Sequence, residues 1–193
     1  MTGTSKVLRT KLALGFRSHS GWAAAILLDE DLRVVARRHV VLCDPGIDGA
    51  KQPFHHAEPM PPAKAEAYIA RCAAATDRLA RQAVASFKGR IVGACILTAS
   101  GRPLPDLRSI LASHALIHAA EGEFYRDALA GACTAAKLKI NRLWEKDAPL
   151  WAASRFGEGV VKQTLAALGK TLGPPWTMDE KLATLGAWLT LAG

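Results

Sequence analysis

The chain has few cysteines, no long apolar run and no low-complexity stretch. The four cysteines among 193 residues, Cys43, Cys72, Cys95 and Cys133, lie far apart and form no C-x-x-C pair. That excludes a zinc knuckle or a redox dithiol and predicts reduced, buried thiols. No apolar segment approaches the ~20 residues that span a bilayer, so no membrane association is expected. The N-terminal MTGTSKVLRTK is polar and lacks the apolar centre of a signal peptide, which sets a cytoplasmic location as the expectation. With no long polar stretch to divide it, the whole of residues 1–193 is expected to form one domain around one core, with residues 1–10 frayed. Acidic residues are in the minority: 17 Asp plus Glu stand against 25 Lys plus Arg, and 25 − 17 gives a formal charge of +8. The excess favours anionic partners, namely DNA, RNA or a phosphorylated small molecule, although the basic residues are scattered and not gathered in one run.

Half of the residues are hydrophobic, enough for a substantial core. Lys11 to Phe16 and Trp22 to Leu28 read as two apolar strands of a hairpin, joined by the polar turn Arg17 to Gly21. A second turn at Asp29 to Asp31 leads to a third strand, Leu32 to Cys43. Residues 44–62 hold five prolines besides Gly46 and Gly49, a density that predicts a long surface loop without regular structure. Ala63 to Phe87 reads as an amphipathic helix. Arg90 to Thr98 (RIVGACILT) is nearly all apolar, as in a parallel strand covered on both faces. Helical sequence from Leu107 to Leu138, with a kink expected at Gly122, and a short strand from Lys139 to Trp144 complete a β-α-β unit. Three helices follow: Ala148 to Phe156, Gly159 to Leu172, and Met178 to Leu191. For the last, Thr177 as N-cap and Glu180 three residues on form a capping box.

The order strand, strand, strand, helix, strand, helix, strand, then C-terminal helices is similar to the ribonuclease-H-like superfamily. Within it, the chain looks most like the RuvC-type Holliday-junction resolvases. The resemblance covers Leu12 to Leu191. It includes a first strand and its hairpin partner, LALGFRSHSGWAAAILL, and a small-residue final helix, DEKLATLGAWLTLA. It implies an α/β fold with a mixed sheet, an antiparallel three-strand start followed by parallel strands, flanked by helices and with a helical C-terminal third. It also implies two-metal phosphodiester cleavage with Mg²⁺ or Mn²⁺, for which carboxylates at three places hold the cations. Here the sequence departs from the pattern. The position for the first-strand aspartate carries Arg17, a cation that would repel metals, and the fourth strand ends without an acid before Asp106. Asp179 and Glu180 stand at the third place. The expectation is therefore a nucleic-acid- or phosphate-binding protein, a degenerate or atypical nuclease without the usual metal pair.

In an α/β sheet, ligands bind at the carboxyl ends of the parallel strands. Four groups are expected near there: Arg17, His19 and Ser20; Ser100 and Arg102; His114, His118 and Glu121; and Asp179, Glu180 and Lys181. Arg17 and Arg102 suit a phosphate clamp, because a guanidinium binds its oxygens in bidentate fashion. His114, His118, Glu121 and Tyr125 fall on one helical stripe. Such a stripe serves a metal, proton transfer, or packing against the sheet, and these alternatives stay open. A second reading follows from it: an enzyme of different chemistry, with His114 or His118 as general base, Glu121 orienting it and an anionic substrate held by arginine. A third is a non-catalytic protein-interaction module. Asp179 and Glu180 also suit the start of a helix, where negative charge offsets the dipole. Lys51, Gln52, His55 and His56 could close over a ligand, while the five tryptophans read as core anchors.

Overall fold

The computed structural model describes residues 10–99 and 103–193. Five strands form one sheet in the order β3-β2-β1-β4-β5. They are β1 (Lys11–His19), β2 (Trp22–Asp29), β3 (Val34–Val41), β4 (Arg90–Thr98) and β5 (Lys139–Trp144). β1 pairs antiparallel with β2 and parallel with β4; β2 pairs antiparallel with β3, and β4 parallel with β5. The helices are α1 (Pro53–Ala57), α2 (Pro62–Ser86), α3 (Leu107–Leu111), α4 (His114–Ala135), α5 (Ala148–Phe156), α6 (Glu158–Leu172) and α7 (Met178–Leu191). This is the expected α/β architecture with its mixed sheet and helical C-terminal region.

Helices cover the sheet on both faces, which explains why β2 and β4 are almost continuously apolar. On one face, Leu12, Leu14 and Phe16 of β1 pack with Ala80 and Val84 of α2 and with Tyr125 and Leu129 of α4. On the other, Ala13, Ile26, Leu28 and Leu97 meet Leu182, Leu185 and Trp188 of α7, with α5 and α6 closing the layer. Each fully buried leucine or phenylalanine contributes roughly 2 kcal/mol through removal from water. α7 lies unusually close to the sheet. A Cβ added at Gly15 would overlap the Ala183 carbonyl, and one at Gly186 would come within 3.0 Å of the Cys95 sulfur. The absence of a side chain at Gly15 is what lets a helix backbone rest on β1.

Several boundaries differ from the sequence reading. Arg17 to His19 continue β1 instead of opening the turn, because each has a β2 partner: Arg17 faces Ala24, Ser18 faces Ala23 and His19 faces Trp22. β3 is shorter at both ends than Leu32 to Cys43. The helix expected to kink at Gly122 runs through it unbroken; the interruption lies at Ala112 and Ser113, between α3 and α4. The 44–62 segment is not an unstructured surface loop. It contains α1, whose first turn accepts Pro53, and it buries Ala50, Phe54 and Ala57. The tryptophans are not uniformly core anchors. Trp188 is buried and stacks on Phe156, but Trp144 and Trp151 are exposed. The described cysteines are all free thiols, three buried and Cys43 half-buried. Among the described residues, no helix is long and apolar enough to cross a membrane. Residues 1–9, expected to fray, lie outside the described residues.

Candidate functional site

The end of β1 carries the first cluster. Extension of β1 past Phe16 brings Arg17 and His19 to the start of α7, and the parallel placement of β5 brings in a residue the sequence reading missed. β5 runs beside β4 with Trp144 level with Thr98, and the Glu145 N–H bonds the Thr98 carbonyl at 2.9 Å. This turns the Glu145 carboxylate toward Arg17. Arg17 Nη2 donates to Glu145 Oε1 at 2.6 Å, while Nη1 pairs with Asp179 Oδ1. His19 Nε2 lies 2.9 Å from the same Asp179 oxygen and 3.0 Å from Arg17 Nη1. Burial, and then the Arg17 charge, push the His19 pKa below its ordinary value, which favours the neutral ring. A neutral Nε2 can donate to Asp179 or accept from Arg17, one at a time. Arg17 Nε is buried without a partner.

The capping box positions Asp179. Thr177 Oγ1 accepts from the Asp179 N–H at 3.2 Å, and Glu180 Oε2 accepts from the Thr177 N–H at 2.8 Å and from its hydroxyl at 2.6 Å. Burial would raise the Glu180 pKa, but these two bonds, together with its own backbone N–H and the Arg37 charge, outweigh it and hold the carboxyl below its ordinary value. Glu180 is therefore occupied in the cap. Arg37 of β3 fixes the preceding segment by donating to the carbonyls of Gly173 at 2.8 Å and Pro175 at 2.5 Å. Trp22 lies between two imidazoles, stacked on His19 with centroids 4.5 Å apart and on His39 at 4.3 Å. Trp22, Arg37, Arg38, His39, Thr177 and Asp179 help line an open groove of about 390 Å³. Ser20 stands in the turn after β1 and Lys181 in the first turn of α7; neither side chain bonds to the cluster.

The expected stripe on α4 divides in two. His114 and His118 are exposed, whereas Glu121 and Tyr125 are buried. Glu121 does not orient His114 or His118. Its Oε1 accepts from the N–H groups of Phe54 at 2.9 Å and His55 at 3.1 Å, and lies 3.2 Å from His55 Nδ1. Burial raises its pKa above the ordinary carboxylate range, and those bonds offset only part of the rise. Its Oε2 is buried without a partner. Tyr125 donates to the Ala50 carbonyl at 2.6 Å, so two α4 residues hold the 44–57 segment down. His55 thereby meets His114 and His118, while His56 turns to the Tyr68 ring. Ser100 and Arg102 lie outside the described residues. Asp106 caps α3, accepting from the Ser109 N–H at 3.0 Å.

No family model matches the chain, and no curated protein matches it. Among solved structures, Thermus thermophilus RuvC in complex with a Holliday junction substrate aligns over 94% of this chain and 94% of its own. The identity is 12% and the TM-score 0.54. A second Thermus thermophilus RuvC structure aligns over 94% and 92%, at 12% identity and a TM-score of 0.48. At such identity the likeness is one of fold. The chain has a RuvC-like fold, a five-strand mixed sheet flanked by helices.

Proposed function

We propose that this chain is a cytoplasmic nucleic-acid- or phosphate-binding protein and an atypical nuclease homologue, whose strand-end site is closed by an internal ion pair in place of metal ions. The observation that carries the proposal is the Arg17 guanidinium, held by Glu145 and Asp179 together. The residues present do not fit a metal pair. The cation already lies between the two carboxylates, and among the described residues no three acidic side chains converge there. A Mg²⁺ ion would have to displace a charge-assisted bond on each side. Arg17 has likewise spent both terminal nitrogens on its own chain, which moves phosphate contact to the groove beside it. There exposed His39 stacks on the half-buried Trp22. Further support comes from the +8 charge and from the junction bound by the aligned RuvC. The free thiols suit a reducing compartment.

The test is binding of branched, duplex and single-stranded DNA and RNA at two salt concentrations, with Mg²⁺ or Mn²⁺ present and cleavage followed. Binding that weakens steeply with salt, without cleavage, is expected. Metal-dependent cleavage abolished by Asp179→Asn would overturn the proposal.

A second reading rests on Trp144, Leu150 and Trp151, all exposed within one short stretch of chain. Such apolar exposure suits a protein contact, which salt would not weaken.

A further inference from the structure

The three histidines brought together by α1 and α4 have no part in the strand-end site. Each offers one ring nitrogen, and these atoms all lie within 4.8 Å of one another. Among the described residues this is the one convergence of three histidine, cysteine or carboxylate side chains of that kind. His114 Nε2 and His118 Nε2 are 3.0 Å apart, as the i, i+4 spacing on a helix allows. His55 comes across from α1, its ring centroid 4.7 Å from that of His118 and 5.5 Å from that of His114. The rings do not stack. Their planes meet at 67° to 83°, and it is the ring nitrogens that converge.

We propose that His55, His114 and His118 bind one divalent transition-metal ion of the zinc or cobalt class, with Glu121 fixing His55 from behind and one coordination position left open. Tetrahedral zinc with Zn–N bonds of about 2.0–2.1 Å places its nitrogens about 3.4 Å apart, inside the span set by 3.0 Å and 4.8 Å. The cluster therefore closes on an ion by side-chain adjustment alone. Glu121 supplies what metal-binding histidines ordinarily have, a carboxylate on the other ring nitrogen. With Nδ1 facing Glu121, His55 has Nε2 to offer. Glu121 is itself held by two backbone N–H groups, which sets the imidazole before any ion arrives. Three imidazoles suit zinc, cobalt, nickel or copper and not magnesium or calcium, which take oxygen ligands. His114 and His118 are exposed, so the fourth position faces solvent and can hold water or an anionic ligand. Three protein ligands with one open position is the composition of a reactive zinc site, whereas structural sites are filled by four.

The full chain, stripped with chelator, is titrated with Zn²⁺ against a chromophoric competitor and, separately, with Co²⁺ while its visible absorption is read. One ion per chain is expected, with the intense absorption of four-coordinate cobalt and a melting temperature raised by the metal. His114→Ala and His118→Ala alter exposed side chains. Each is expected to leave the metal-free melting temperature unchanged and to lower affinity about 100-fold. His55→Ala is expected to weaken binding equally. Unchanged affinity in His55→Ala would reduce the site to a surface pair on one helix and overturn the proposal. A pale six-coordinate cobalt spectrum would do the same.

Discussion

The two clusters differ in how their polar groups are answered. Around Arg17, both terminal guanidinium nitrogens pair with carboxylates and His19 joins the Asp179 side, leaving Nε alone without a partner. Around His114, three imidazoles face one another with no cation between them, and the one carboxylate stands behind, anchored to backbone. The first cluster is rich in charge but closed; the second carries less charge and is open to solvent. Density of ionisable residues is thus a poor guide to where a ligand enters. What matters is whether the groups have already found partners in their own chain.

The comparison can be broken at its rigid side first. Glu121→Ala removes the acceptor for two backbone N–H groups and leaves a cavity under α1. It is expected to cost about 3 kcal/mol by urea denaturation; a loss under about 1 kcal/mol would mean that Glu121 does not hold the 44–57 segment. Arg17→Ala leaves two half-buried carboxylates without their cation. A loss of about 2 kcal/mol is expected, between surface-pair and buried-pair values. Arg17→Lys should restore only part of it, since an ammonium lacks the fork that reaches both acids. No loss in either variant would show the first cluster to be solvated and open.

Thr177→Ala breaks the cap that places Asp179 and is expected to cost about 1 kcal/mol. Its partner Glu180 has a depressed pKa in the folded state. Its share of stability is therefore present above the ordinary glutamate pKa of about 4.3 and is lost as the pH falls through that value and below. Melts of wild type and Thr177→Ala should converge on acidification, and parallel curves would remove Glu180 from the cap. The smallest effect belongs to His39→Ala, on the exposed side of the Trp22 stack. Stability should move by less than about 0.5 kcal/mol. Single-strand affinity should fall severalfold if the groove takes bases, because stacking on aromatic rings is the interaction removed.

Much of the fold is legible in the sequence, because hydrophobic period and caps are local. Arg90 to Thr98, Lys139 to Trp144 and the Thr177–Glu180 box fall where the residues place them. Three of the four residues of the strand-end cluster are legible too: Arg17, His19 and Asp179 were grouped on the rule that ligand sites gather at strand ends. Glu145 was not. It follows β5 in the run Glu145-Lys146-Asp147, which reads as a polar turn. Only the parallel register against β4 carries it to a residue 128 positions earlier. His55 was named only as part of a surface loop that could close over a ligand. The signal that joins it to His114 and His118 is a buried glutamate bonded to main-chain N–H groups, and no sequence period encodes that bond. The prolines of 44–62 misled for a related reason: Pro53 at the first turn of a helix forfeits no hydrogen bond.

The seam between β1 and α7 bears on the strand-end cluster in a further way. At Gly15 a helix carbonyl sits where a side chain would begin, so the contact contains no rotamer that could turn aside. A methyl group added there cannot be absorbed locally and must lift α7 as a rigid rod. Asp179 lies one turn, about 6 Å, before Ala183 on that rod. Crowding at the seam would register first as a parted Arg17–Asp179 pair while the rest of the core stayed folded, making the glycine a remote gauge of the cluster's closure.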